Sequence, residues 1–376
     1  MPGFEIIDKK EKKAVINIFE EGGVLFAHGF ERLRKKFHIR EFEKMFCKKF
    51  KCKYSLAVSS GTAAIKIGLK ALGVKSGDEV ITQAFNFIAT VEAIVDVGAK
   101  PIIVNVDDTL NMDIKDLKKA ITSKTKVILP VHMLGVPANM NLIMKLAKAK
   151  KIKVLEDNCE STGAKFNKKY LGTIGHIGVL SFDFGKVITT GEGGMILTND
   201  PKLDKYCREY HDHGHENNPK LPRGKDTRSI YGFNYRMTEL QGAIGKVQLS
   251  KLNYIIKKNK ERYTSLLRGL GNRFKLRTIP TKSQIIHDTF ILFVKNSKLR
   301  NKIVKHLQQN GFGTKNLPDA LAWHCAAYWD HILEKKQINI SKVTKTKLSE
   351  AIAIPIWIKR LPKDYLALGK NLKKIK

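Results

Sequence analysis

Residues 180–194 read Leu-Ser-Phe-Asp-Phe-Gly-Lys-Val-Ile-Thr-Thr-Gly-Glu-Gly-Gly, a stretch that leaves an apolar run, meets Lys186 and turns through glycines. The apolar part, 178–182, has the length and flanks of a buried strand. Lysine is almost never buried without a purpose, so an amine at a strand end is a candidate nucleophile. Desolvation beside cationic neighbours would lower its pKa and let it form an imine with an aldehyde at neutral pH. A plain surface charge is the alternative for any single lysine in a chain this rich in them.

The same grammar extends outward in both directions. Short β-branched runs at 55–58, 79–82, 101–106, 127–131, 153–156 and 195–198 alternate with amphipathic stretches at 63–72, 88–97, 114–121, 140–149 and 201–209. That alternation predicts an α/β layer with crossover helices, whose ligand sits beyond the strand ends. The first 50 residues look helical, and a long helical pattern over 238–267 leads into a lysine-rich region with an isolated strand candidate at 289–294. Length exceeds what one simple core holds. The expected division is therefore a large domain over 1–254 and a small one over 255–376.

Net charge is +34, which by itself points to a polyanionic partner. The lysines are scattered over helix-like stretches with no basic block interleaved with aromatics, so they read as solvated faces and no nucleic acid is expected. Hydrophobic content of 43% excludes a disordered chain. Five cysteines without paired spacing exclude a disulfide framework and fit a reducing cytoplasm. No stretch approaches the roughly 20 apolar residues of a membrane span, so no membrane insertion is expected.

Two further segments carry chemistry. Residues 59–64, Ser-Ser-Gly-Thr-Ala-Ala, follow a strand and open a helix. Small residues and a helix N-terminus can cradle a phosphate there, although capping alone explains the same residues. Residues 154–160, Val-Leu-Glu-Asp-Asn-Cys-Glu, end a strand in acids, and a buried Asp157 needs a cationic partner or a capping role. His211, His213 and His215 alternate without a distal ligand set, so no metal site is expected.

Together these motifs, with TKVILPVHMLG and GFNYRMTELQGAIGKVQL, make the chain similar to the DegT/DnrJ/StrS sugar aminotransferases, from about residue 41 through 262. The resemblance implies a fold-type-I pyridoxal-phosphate (PLP) enzyme: a mixed, mostly parallel sheet flanked by helices, with a small C-terminal α+β domain. It implies that Gly61, Thr62 and Ser181 bind the cofactor phosphate, that Phe87 stacks on its ring, that Asp157 pairs with the ring nitrogen and that Lys186 is the Schiff-base lysine. Asn234 would reach the phosphate of a neighbouring subunit in a homodimer with shared sites. The chain departs from the pattern at Glu160, usually glutamine and placed at the cofactor's phenolic oxygen, and at Gly185, usually serine or threonine. Its lysine separates it from the dehydratase branch, which has histidine there.

L-glutamate would donate the amine to a keto-sugar. Loop-like segments at 210–226 and 313–324 resemble the branch that aminates the 8-position of the acid sugar 3-deoxy-octulosonate (Kdo), a lipopolysaccharide component. His215 lies in the first of these, and Arg236, Lys315, Asn316 and His324 are the candidate carboxylate clamp. A nucleotide-linked 4-keto or 3-keto hexose is the rival substrate, and a non-catalytic regulator held to nucleic acid by charge is the rival class.

Overall fold

The computed structural model describes residues 2–218 and 220–376; Met1 and Pro219, the latter within the 210–226 segment, lie outside the described residues. Seven strands form the central sheet: β1 (Tyr54–Val58), β2 (Glu79–Gln83), β3 (Lys100–Val104), β4 (Thr125–Leu129), β5 (Lys153–Asp157), β6 (Ile177–Ser181) and β7 (Gly194–Thr198). Their spatial order is β1-β7-β6-β5-β4-β2-β3, with β7 antiparallel to both neighbours and the other pairings parallel. This is the mixed, mostly parallel sheet that the resemblance implies, built on the α/β layer that the alternation of runs predicts. The expected 101–106 strand stops at Val104, and Val106 instead bridges Met112.

Successive side chains of a strand point to opposite faces, and both faces here are covered by helices. Ala57, Ile81, Ile128, Val154, Leu180 and Leu197 enter one core with Phe42, Phe46, Leu249 and Leu252. Their neighbours Leu56, Val80, Val127, Leu155, Val179 and Ile196 enter the other, with Ile65, Ile67 and Ile94. Each such side chain contributes about 1.5–3 kcal/mol over leaving it exposed, which is why these strands read as unbroken apolar runs.

The long helix Glu239–Leu270 starts at a capping box between Thr238 and Gln241 and passes position 255 without a break. Its last turn supplies Leu266 and Leu270 to a separate core with Phe290, Leu292, Ile352, Ile354 and Leu372. The strand Thr289–Phe293 is not isolated, as the sequence suggested. It pairs antiparallel with Lys275–Leu276 and with Ala351–Pro355. Among the described residues, no helix is long and apolar enough to cross a membrane.

Two glycines set how closely the first helix after β1 approaches the sheet. A Cβ on Gly61 would lie 2.8 Å from Ser181 Cβ, and one on Gly194 would lie 2.4 Å from the Ser60 carbonyl oxygen. The start of the helix Gly61–Ala71 is thereby brought against the carboxyl ends of β5 and β6.

Candidate active site

Ser60 caps the helix Gly61–Ala71, its hydroxyl accepting the Ala63 N–H at 3.0 Å. A helix leaves its first N–H groups without intrahelical partners, so Gly61 and Thr62 offer anion donors, and the macrodipole adds positive potential. Ser181, the last residue of β6, sits directly beside Gly61. Capping and cradling are thus compatible uses of one motif. Gly61→Ala is expected to lower stability by about 1–3 kcal/mol, since Ser181 must move. The check is thermal unfolding with and without a phosphate-bearing ligand, whose stabilising increment should shrink.

The acids of 154–160 divide by direction. Glu156 turns away from the cleft, 3.1 Å from His132 Nε2, and accepts N–H groups of Gly172, Ile174 and Gly175. Asp157, at the end of β5, is 3% exposed and lines the cleft. The Thr90 hydroxyl donates to its Oδ2 and the Cys159 N–H to its Oδ1, both at 3.0 Å. Backbone bonds to Pro130 and from His132, both 2.9 Å, fix the residue further.

Lys186 follows a tight turn in which its N–H donates to the Asp183 carbonyl at 3.0 Å. Its Nζ lies 3.6 Å from Glu160 Oε1. The expectation of cationic neighbours and a lowered pKa is corrected here. Burial alone would lower the Lys186 amine, but Glu160, Cys159, Asp183 and Asp157 outweigh it and the pKa is raised. Burial would likewise raise the Glu160 carboxyl, but Lys186, Lys315, His324 and the Leu134 N–H hold it at about 2. Glu160 is therefore ionised at neutral pH.

The outer wall is aromatic. Phe87 lines the cleft, with the His324 ring 5.4 Å and the Trp323 ring 6.4 Å from it. Backbone bonds from Asn86 to His324 and from Ile88 to Trp323 hold the two segments together. Burial chiefly lowers the His324 pKa, so this ring is neutral at pH 7.

One cleft of about 390 Å³ thus gathers Gly61, Thr62, Phe87, Asp157, Glu160, Ser181, Lys186, Asn316 and His324. The remaining sequence candidates are placed differently. Lys315 is buried and bound to Asp288 at 2.7 Å. Arg236 is bound to Asp212 at 2.5 Å, which also draws both amino groups of Arg223. His215 pairs with Asp226 at 3.1 Å, and Asn234 Oδ1 accepts the Arg236 N–H at 3.3 Å. None of His215, Asn234, Arg236 and Lys315 lines the cleft. The four-residue carboxylate clamp is therefore not assembled within one protomer, because buried carboxylates have claimed its two cations. Sequence reading did not single out Thr90, Trp323 or Asp288; their roles arise from contacts distant in sequence, and no local signal marks them.

Residues 18–366 match the profile of the DegT/DnrJ/EryC1/StrS aminotransferase family. The chain belongs to this family. A GDP-perosamine synthase of Escherichia coli O157:H7 is 40% identical over 225 residues, 60% of either chain. That of Vibrio cholerae is 30% identical over 325 residues, 85% of this chain and 86% of the relative. The match spans less than two thirds of the length of the E. coli relative and also of a Caulobacter vibrioides GDP-perosamine synthase, at 60% and 63%. Among solved structures, an E. coli GDP-4-keto-6-deoxy-D-mannose-3-dehydratase with bound hydrated PLP superposes at TM-score 0.80 and 26% identity, covering 98% of this chain and 97% of that one. A 3-amino-5-hydroxybenzoic acid synthase does so at TM-score 0.84 and 26% identity, covering 98% and 96%.

Proposed function

We propose that the protein is a PLP-dependent aminotransferase that carries an amino group from L-glutamate to a 4-keto or 3-keto hexose linked to a nucleotide. The observation that carries this reading is the placement of the Lys186 amine in one cleft with the Asp157 carboxyl and the Gly61–Thr62 helix start.

The residues fit the cofactor. The cradle at Gly61, which a Cβ would close against Ser181, suits a phosphate. Asp157 would pair with a protonated ring nitrogen, Phe87 would cover a ring face and Lys186 would bind the aldehyde carbon. Bound there, PLP supplies an electron sink for the carbon that loses its proton. Lys186, released from its covalent role when the amino donor arrives, holds and moves that proton at Nζ. Asp157 keeps its orientation through Thr90 and Cys159, so its charge stays aimed without reorganisation during the reaction. Two substrates taking turns at one site, the first leaving the amino group that the second takes up, predict ping-pong kinetics.

The nucleotide-linked hexose is favoured over the free acid sugar because the relatives named above are GDP-perosamine synthases. Asn234, outside the cleft of its own protomer, is the residue a homodimer would bring to the partner's site. The test is a keto-sugar panel offered to PLP-loaded enzyme after L-glutamate, following return of the visible absorbance. Recovery with a nucleotide-linked keto-hexose is expected. Recovery with 8-oxo-Kdo alone would restore the acid-sugar reading, and recovery with none would overturn the proposal.

A second reading has one observation in its favour: a relative named a pleiotropic regulatory protein, from Geobacillus stearothermophilus, is 34% identical over 74% of this chain. A colourless protein with salt-sensitive DNA binding would favour it. An amine and an acid held in one cleft have no use in such a regulator.

A further inference from the structure

The surroundings of Glu160 are built for the charged form of its carboxyl, which faces the Lys186 amine. Leu134 N–H donates to Oε2 at 3.3 Å and Asn316 Nδ2 to Oε1 at 3.4 Å, while Gly135 N–H holds the Glu160 carbonyl at 3.1 Å. Both donors of this turn depend on left-handed backbone, Leu134 at φ 49° and Gly135 at φ 81°. At Gly135 a Cβ would lie 2.7 Å from Ile286 Cγ1, so the turn is fitted closely to its place.

We propose that Glu160 is the resident counter-ion of Lys186, a carboxylate whose charge sets the pH at which the reacting amine gives up its proton. It rests on the reading of Lys186 as the reacting amine and adds a catalytic residue to it. The other titratable groups facing this pair leave Glu160 as the dominant partner. From the end of β5 and the loop after it come Asp157 and Cys159, from the lysine turn Asp183, and from the C-terminal part Lys315, His324, Asp288 and Arg277. Lys315 and Asp288 neutralise each other at 2.7 Å, and His324 is neutral at pH 7. A hollow of about 20 Å³ lined by Lys186, Glu160, Lys315 and Asp288 has room for one water beside the pair.

A carboxylate 3.6 Å away favours the ammonium, so removing its charge lowers the Lys186 pKa. The test uses the full chain without cofactor: pH-dependent labelling of lysine amines with acetic anhydride, read peptide by peptide by mass spectrometry. In Glu160→Gln the midpoint for Lys186 is expected to fall by about one to three pH units, while the exposed Lys118 stays unchanged. Glu160→Asp keeps the charge but withdraws it by one methylene, and a smaller fall is expected. In PLP-loaded enzyme the acidic limb of the pH–rate profile should move the same way. An unchanged Lys186 midpoint in Glu160→Gln, even with a lowered melting temperature, overturns the proposal and leaves Glu160 a packing residue. Failure of wild type to take up PLP would instead sink the aminotransferase reading, while the labelling still reports on Glu160.

Discussion

Lys186→Met is expected to lower amino transfer by about 10⁴-fold or more. A positioned acid–base group contributes up to about 10⁴-fold, and covalent catalysis is lost along with it. The fold should survive, because the Lys186 side chain is one-fifth exposed and, among the described residues, its ion pair is with Glu160. That carboxylate loses its partner, so a cost of about 1–3 kcal/mol in stability is expected. Steady-state rates and thermal unfolding of the same preparation separate the two effects. A variant that stays folded and retains more than a hundredth of wild-type activity would argue against any proton or covalent role for this amine.

Asp157→Asn should be the next most damaging change, with a loss of about 10²–10³-fold, the scale of removing one preorganised electrostatic contact from an active site. Asparagine keeps the shape and one oxygen, so either the Thr90 hydroxyl or the Cys159 N–H still finds an acceptor. What disappears is the charge opposite the ring nitrogen. Cofactor uptake should persist in this variant while turnover falls, and the ratio of the two is the measurement. Asp157→Ala leaves both donors unpartnered inside the protein and should add about 1–3 kcal/mol of destabilisation.

The central sheet was legible because its strands are buried on both faces and so leave continuous apolar runs, found to within about two residues. Ala351–Pro355 escaped: five buried residues that follow a lysine-rich helix and end on a proline, with no polar–apolar alternation to mark them. Its partner Thr289–Phe293 looked isolated for that reason. On the cofactor side, each residue sits at or just beyond a strand end where the local sequence carries the signal, and Gly61, Thr62, Asp157, Ser181 and Lys186 do converge on one cleft. The substrate side was not legible in the same way. Which cation is free depends on which carboxylate claims it, and Asp288 takes Lys315 from 27 positions away while Asp212 takes Arg236 from 24. The direction of the Lys186 shift failed on similar physics, since Glu160, the foremost of its acidic neighbours, arrives from a separate segment of the chain.

Incubating the purified protein with PLP, reducing with borohydride and mapping the modified peptide by mass spectrometry tests the account most directly. A single adduct is expected, on the peptide that contains Lys186, and none in Lys186→Met. An adduct spread over many surface lysines, or unchanged by that substitution, would contradict it.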